Sequence, residues 1–268
     1  MQKRVFMSNI VNISGSYVQN QRHSLVSEKY KVIQASSIGD TMQKHGLSLV
    51  SIKTGNARHA DKVDFQKTIS RFRGPVVSHD KDGKPIFLDL LVKNPHMGRG
   101  LTEILVGIYR LVCSNGMVAG KSFFSEGIRH NGDTYENLDL AVAHALDIQK
   151  RLGETIQKLQ GIELTPELKE QLAQDAIKLL TPENALNIRH RLLTPKRAED
   201  TGNDAWSVFN VVQENSMLGG RVAYTTQSID NNGQNNVRHM STRTIKPNTV
   251  KDMDFNQGLF DAVLKLAA

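Results

Sequence analysis

The stretch from Leu101 to Gly120 holds the longest apolar run in the chain and must lie at the centre of whatever it folds into. Ile104, Leu105, Ile108, Leu111 and Val112 recur at i, i+1, i+4, i+7 and i+8, the stripe of a buried helical face. Ile104, Val106 and Ile108 also alternate, as in a strand. The helical reading is favoured because Asn115-Gly116 makes a good stop, glycine being free to take a left-handed cap. Read as a strand, the same dipeptide becomes a hairpin turn. Cys113, at the edge of the run, fits a small buried hydrophobe better than a nucleophile.

At 268 residues the chain can form one large domain or two small ones. Lys and Arg number 34 against 27 Asp and Glu, a net charge of +7. That balance favours polyanionic partners, although it also serves solubility. A single cysteine excludes an internal disulfide framework and suits a reducing cytosol. No apolar run reaches the ~18–20 residues of a membrane span, and Met1-Gln-Lys-Arg-Val-Phe-Met lacks a signal-peptide core. The expected location is the cytoplasm, with no membrane partner.

The order of elements predicts an α+β fold: a short helix and an antiparallel β-meander packed with the central apolar element, then a helical C-terminal half. Residues 1–27 read as a loosely ordered arm, 28–133 as the α+β core and 134–220 as a helical region. Residues 221–253 read as a flexible loop or hairpin, and 254–268 as a closing helix. Within the core, Ala35–Gly46 fits a helix capped by Ser36 or Ser37. Leu47–Thr54, Phe65–Arg73 and Ile86–Val92 fit strands, the second stopping at Gly74-Pro75. Asp80-Lys-Asp-Gly83 is a hairpin turn between the last two. Further on, Tyr135–Leu159 carries one helical stripe. Thr165-Pro and Thr181-Pro each place a capping residue before proline at a helix start. Asp204–Leu218 and Asp254–Ala267 complete the helices.

The central segment Ile108-Tyr-Arg-Leu-Val-Cys-Ser-Asn-Gly-Met-Val118, followed by Ile128-Arg-His-Asn-Gly132, resembles the core of a phage- and plasmid-encoded family of unknown function. That family reads aromatic-R-L-V-C-S-N-G-L, then I-R-H-T-G. Tyr30-Lys-Val-Ile33, Val77-Ser-His-Asp80 and Trp206-Ser-Val-Phe-Asn-Val-Val-Gln-Glu214 are similar to its opening strand, its S-H-D segment and its W-x-x-F-N-x-x-x-E helix. Lys93–Gly100 and Ile162–Thr201 depart from the pattern. The resemblance implies a setting on mobile elements rather than a chemistry.

Lys67, Arg71 and Arg73 fall on one face of the second strand, since side chains two apart align at about 6.8 Å. That is close to the spacing of phosphates along a stretched single strand, so the strip can track a nucleic-acid backbone. An ordinary solvated strand face competes with this reading. Arg110, Arg129 and His130 near the central motif, and Arg238 and Arg243 in the polar 221–253 segment, extend the same binding set. Arg189-His-Arg191 and Lys196-Arg197 add positive charge on or just after a helix. Tyr109 and Phe123-Phe124 can stack bases or simply pack in the core.

Catalytic readings are weaker. Cys113, Asn115 and His130 have the residue types of a Cys-His-Asn hydrolase, but such triads are defined in space. His79, Asp80 and Asp82 could hold a metal, yet hairpin geometry explains them. With no phosphate-binding loop and no dinucleotide fingerprint, no cofactor is expected. The leading expectation is a non-catalytic single-stranded DNA-binding protein of a phage or plasmid, a strand-annealing recombination factor that forms homo-oligomers. The order of elements is similar to the core of annealing proteins. The alternative is a mobile-element protein that binds and inhibits a host protein through its charged helices.

Overall fold

The computed structural model describes residues 22–54, 65–97, 100–110, 125–197, 200–229, 234–246 and 249–268. Most of the expected N-terminal arm, Cys113 with Asn115-Gly116, and Phe123-Phe124 lie outside those residues. The fold is α+β, with antiparallel sheets and a helical C-terminal part, as the sequence predicts.

Helix α1 (Ala35–Lys44) sends Ile38 and Met42 into the core, and the chain turns at Gly46, whose φ of +78° suits glycine. Its N-cap residue is Gln34, with no side-chain cap bond, so neither Ser36 nor Ser37 fills that role. Strands β1 (Ser48–Thr54), β2 (Thr68–His79), β3 (Pro85–Asn94), β4 (Thr102–Arg110) and β5 (Ser125–Ile128) form one sheet in sequence order. β2 runs on through Gly74-Pro75 instead of stopping there. Pairing with β1 ends at Arg73, so Pro75 withholds no hydrogen bond from that neighbour. Gly74 stays without a side chain because a Cβ would press on Leu47 and on the Leu88 carbonyl. The turn to β3 follows its sequence signal: Asp80 Oδ1 accepts from the Asp82 and Lys84 amides, and Gly83 has φ +76°.

Over its described residues the central run corrects the helical expectation, because Thr102–Arg110 enter the fold as β4. Ile104, Leu105, Val106 and Ile108 are all buried, on both faces of the strand. A strand covered on both sides loses its alternation and reads as a continuous apolar run. The predicted single helix over Tyr135–Leu159 is two, α2 (Thr134–Asp147) and α3 (Gln149–Gln160). The stripe survives the break because Ile148, at the joint, is itself buried. α2 packs on α1 and β5.

Beyond it come α4 (Pro166–Leu180), β6 (Leu186–His190), α5 (Ala205–Leu218), β7 (Val222–Ile229), β8 (Asn235–Ser241) and α6 (Val250–Leu266). Thr165 caps α4 by accepting from the Leu168 amide, with proline in the first turn, as predicted. Thr181-Pro does not start a helix. A single turn closes there, the Ala185 amide donating to the Pro182 carbonyl, and the chain then pairs with β7. Within the expected loop or hairpin at 221–253, β7 pairs with β8 and β6 forms the third strand, while the closing helix already begins at Val250, ahead of the expected Asp254. α4, α5 and α6 pack against one another. α5 is buried from Ala205 to Met217, so its polar side chains need internal partners. Gln213 donates to Asn256 Oδ1 at 2.8 Å, Asn215 to the Leu192 carbonyl at 3.0 Å, and Glu214 pairs with Arg197 at 2.7 Å.

The described residues divide into two compact units. The first takes those up to Val77, those from Ile86 to Tyr109, and those from Ser125 to Arg151; the second takes Ser78–Pro85, Arg110 and those from Leu152 onward. Among the described residues no helix is long and apolar enough to cross a membrane.

Candidate anion-binding site

In the second unit, β6 pairs antiparallel with β7, Arg189 standing across from Ala223 and His190 across from Val222. An irregularity between Leu186 and Arg189 shifts the register, and Asn187 absorbs it with φ +51°, a conformation asparagine tolerates. One step beyond the strand ends the ladder continues, the Arg191 amide donating to the Arg221 carbonyl at 2.9 Å. Strand parity then sets Arg189, Arg191 and Arg221 on one face. They line a cavity of about 590 Å³ together with His190, Gly219, Gly220 and Ala223.

No carboxylate lines this cavity, and among the described residues none of the three arginines has an ion-pair partner. Arg189 and Arg191 are exposed and Arg221 is half-buried. Like charges directly across a ladder repel, so the arrangement is one that an anion relieves, and the guanidinium fork suits phosphate. His190 is tied down instead, 3.0 Å from Glu170 Oε1. The Glu170 carboxyl is held below its usual range, first by the Gln174 amide and then by His190. Gly219, with φ +74°, lets the 243–244 backbone pass; a Cβ there would overlap Arg243 and Thr244. The neighbouring Gly220 amide donates to the Thr242 carbonyl at 2.7 Å.

The residues expected to bind nucleic acid are distributed otherwise. Lys67 is exposed and lies one residue before β2. Arg71 is 8% exposed and pairs through Nε with Asp89, itself 1% exposed; Arg73 Nε reaches the same carboxylate at 3.2 Å and lies 4.8 Å over the Phe87 ring. Arg71 and Arg73 therefore serve an internal ion pair, and with Lys67 they do not form the open strip that alternation predicted. Arg110 ends β4, its side chain outside the described set, as is that of Tyr109. Arg238 and His239 sit on the fully exposed β8, across from Thr226 and Thr225. By parity His239 shares the face of Arg189, and Arg238 takes the opposite one. Arg243 is exposed, two residues past the end of β8.

Arg129 and His130 belong to a second cavity, of about 350 Å³, in the first unit, with Lys29 and Tyr30. Burial lowers the His130 pKa, against a raising contribution from the Lys31 carbonyl. Burial, with His130 adding to it, lowers His96 to about 4. The sequence reading left Lys29 and Arg221 unnoticed and kept Arg189 and Arg191 out of the binding set. Their signal was the i, i+2 spacing, legible only once 186–190 is taken as a strand instead of the neighbourhood of a helix.

A family model described as a domain of unknown function, DUF932, matches residues 22–252. Two proteins of Escherichia coli strain K12, the UPF0380 proteins YfjQ and YafZ, are each 27% identical over 208 residues, covering 76% of this chain and 74% of the relative. No solved structure matches. With most of its length, including the β6–β7 arginines, inside the matched region, the chain belongs to the DUF932 family.

Proposed function

We propose that this protein binds single-stranded nucleic acid, DNA in the first instance, without catalysing a reaction, and that its contact surface is the β6–β7–β8 sheet. The observation that carries this reading is the set of three arginines on one face, without an ion-pair partner among the described residues, lining one cavity with no acid among its lining residues. His239 on the same face and Arg243 nearby can follow a backbone away from the cavity. A role in strand annealing, homo-oligomeric assembly, action in the cytoplasm and an origin on a phage or plasmid complete the proposal. Annealing and assembly rest on the order of elements, the mobile-element origin on the central motif, and the cytoplasm on the reducing setting that a single cysteine suits.

The test is fluorescence anisotropy with single-stranded DNA, duplex DNA and RNA across a salt series, for the wild type and for a variant with Arg189, Arg191 and Arg221 changed to Ala. Each phosphate contact on a single strand adds about 0.7 to the slope of log affinity against log salt. Loss of all three is expected to lower the slope by about 2 and to weaken binding at low salt. A variant with wild-type affinity and slope would refute the site.

A second reading has its own support. Leu186, Ile188, Val237 and Met240 are exposed large apolar side chains on this same small sheet, and apolar patches mark protein-facing surfaces. Capture of one host protein by nuclease-treated samples, undisturbed by the arginine changes, favours this inhibitor reading.

A further inference from the structure

The cavity in the first unit poses a separate problem, set by His130. The residue is 7% exposed and its ring has two hydrogen-bond contacts. Nδ1 lies 3.0 Å from the Lys31 carbonyl oxygen, and Nε2 lies 3.1 Å from Thr102 Oγ1. Thr102 Oγ1 in turn donates to Asn94 Oδ1 at 2.8 Å, and Asn94 Nδ2 donates to the Ile33 carbonyl at 2.8 Å. Both ends of this chain are backbone carbonyls, which only accept. Asn94 is therefore fixed with its amide toward Ile33, and the single hydroxyl proton of Thr102 is committed to Asn94 Oδ1. Nε2 of His130 can then only donate to Thr102, while Nδ1 can only donate to Lys31. A neutral imidazole carries one N–H, so the ring satisfies both contacts only as the imidazolium. Tyr30 stacks on it with centroids 4.5 Å apart and planes 11° from parallel, a platform that also favours the cation.

The surroundings oppose that second proton. The titratable side chains about the ring are Tyr30 and Lys31 from the segment before α1, His96 after β3, and Arg129 beside it. Lys31 is turned away, its Nζ donating to the Gly132 carbonyl at 2.6 Å. Among the described residues no carboxylate shifts His130, and burial disfavours its charge. Lys29 and Arg129, exposed and without an ion-pair partner among the described residues, line the same cavity. The bonding pattern calls for a cation where the charged side chains that line the cavity among the described residues, Lys29 and Arg129, are already positive. An anion in the cavity removes the conflict.

We propose that this cavity binds a phosphate-type oxyanion between Lys29 and Arg129, and that binding is coupled to uptake of a second proton by His130. The site is independent of the arginine cavity of β6 and β7, and either can fail without the other. Its phosphate can come from a small molecule or from a nucleic-acid strand.

The experiment titrates the full chain with sulfate, whose charge is constant between about pH 5 and 8, so that any pH dependence belongs to the protein. Calorimetry in two buffers of different ionisation heat reads the proton count, and ring nitrogen shifts by NMR read the state of His130. Saturable binding, proton uptake, and affinity that strengthens by up to about tenfold per unit fall in pH are expected. Lys29→Ala with Arg129→Ala changes only exposed positions. It is expected to abolish sulfate binding, and changing Arg189, Arg191 and Arg221 to leave it intact. His130→Gln, if it folds, should bind without pH dependence. Competition by inorganic phosphate alone assigns the site to a small molecule; competition by a 5′-phosphorylated trinucleotide alone assigns it to a strand. Absence of saturable binding, binding without proton uptake, or binding untouched by the loss of Lys29 and Arg129 overturns the proposal.

Discussion

Replacing Asp89 by Ala tests whether Arg71 and Arg73 belong to the architecture or to a ligand surface. Asp89 is 1% exposed and is the shared partner of both guanidinium groups. The two arginines fare differently without it. The Arg71 side chain is 10% exposed, so it would lose the Asp89 carboxylate while still held largely out of water. Breaking such a pair from one side costs about 3–5 kcal/mol. The Arg73 side chain, 23% exposed and resting on Phe87, can turn to water and adds little. The expected loss of about 3–5 kcal/mol is a large part of the 5–15 kcal/mol that typically holds a domain together. Urea unfolding with hydrogen exchange on the β2 and β3 amides measures it in the right unit, since the single tryptophan, Trp206, reports on the other. Changing Arg71 to Met together with Asp89 to Leu is expected to recover most of the loss, because a buried pair can give way to apolar packing at little cost. A ligand-facing strip makes the opposite forecast: removing Asp89 frees two cations and tightens binding to single strands. An Asp89→Ala protein within about 1 kcal/mol of wild type, or one that binds DNA more tightly, would refute the internal role.

Two further outcomes follow from the same geometry. His96 is 8% exposed and depressed to about 4, so it is neutral when folded but gains a proton near 6.5 when unfolded. The unfolded chain thus binds the proton more readily, and stability is full above about pH 6.5 and declines as pH falls toward 4. The fall from 6.5 to about 4 corresponds to roughly 3 kcal/mol. Urea midpoints between pH 7 and 4 should show this decline, and His96→Gln should flatten it; an equally steep decline in the variant counts against His96 as its source. Arg221→Glu turns the like-charged pair with Arg191 into an opposite-charged one. It is expected to raise stability by up to about 1 kcal/mol while weakening single-strand binding, and a destabilised variant would show that the repulsion was never present.

What the sequence made legible is what depends on near neighbours. The Asp80–Gly83 turn, the α4 start at Thr165-Pro and the helix ending at Gly219 are each set by a few adjacent residues, and each stands where it was expected. The errors share one physical origin, which is tertiary context overriding a local signal. Ile104–Ile108 looked helical because β4 is buried on both faces. Thr181-Pro looked like a helix start because a cap costs nothing to repeat, yet β7 was available to pair with Leu186–His190. Gly74-Pro75 looked like a stop because the sequence could not show that pairing with β1 ceases one residue earlier, at Arg73. In each case the deciding partner lies far away along the chain.

The candidate site was hidden for the same reason, and this bears on how a basic chain should be read. Net charge weighs every arginine equally, but the fold does not. Arg71, Arg73 and Arg197 are taken up by Asp89, Asp200 and Glu214 inside their own units, so their charge is invisible to a polyanion. Arg189, Arg191 and Arg221 keep theirs because the strands across from them supply alanine and another arginine, and no acid. Alternation along β2 nominated Arg71 and Arg73, since it records which residues share a face and is silent about what faces them. The register between β6 and β7 nominates the second, because it fixes what stands opposite. An unpaired cation is thus a property of two strands, and it became visible only when the pairing of 186–190 with 222–225 was known.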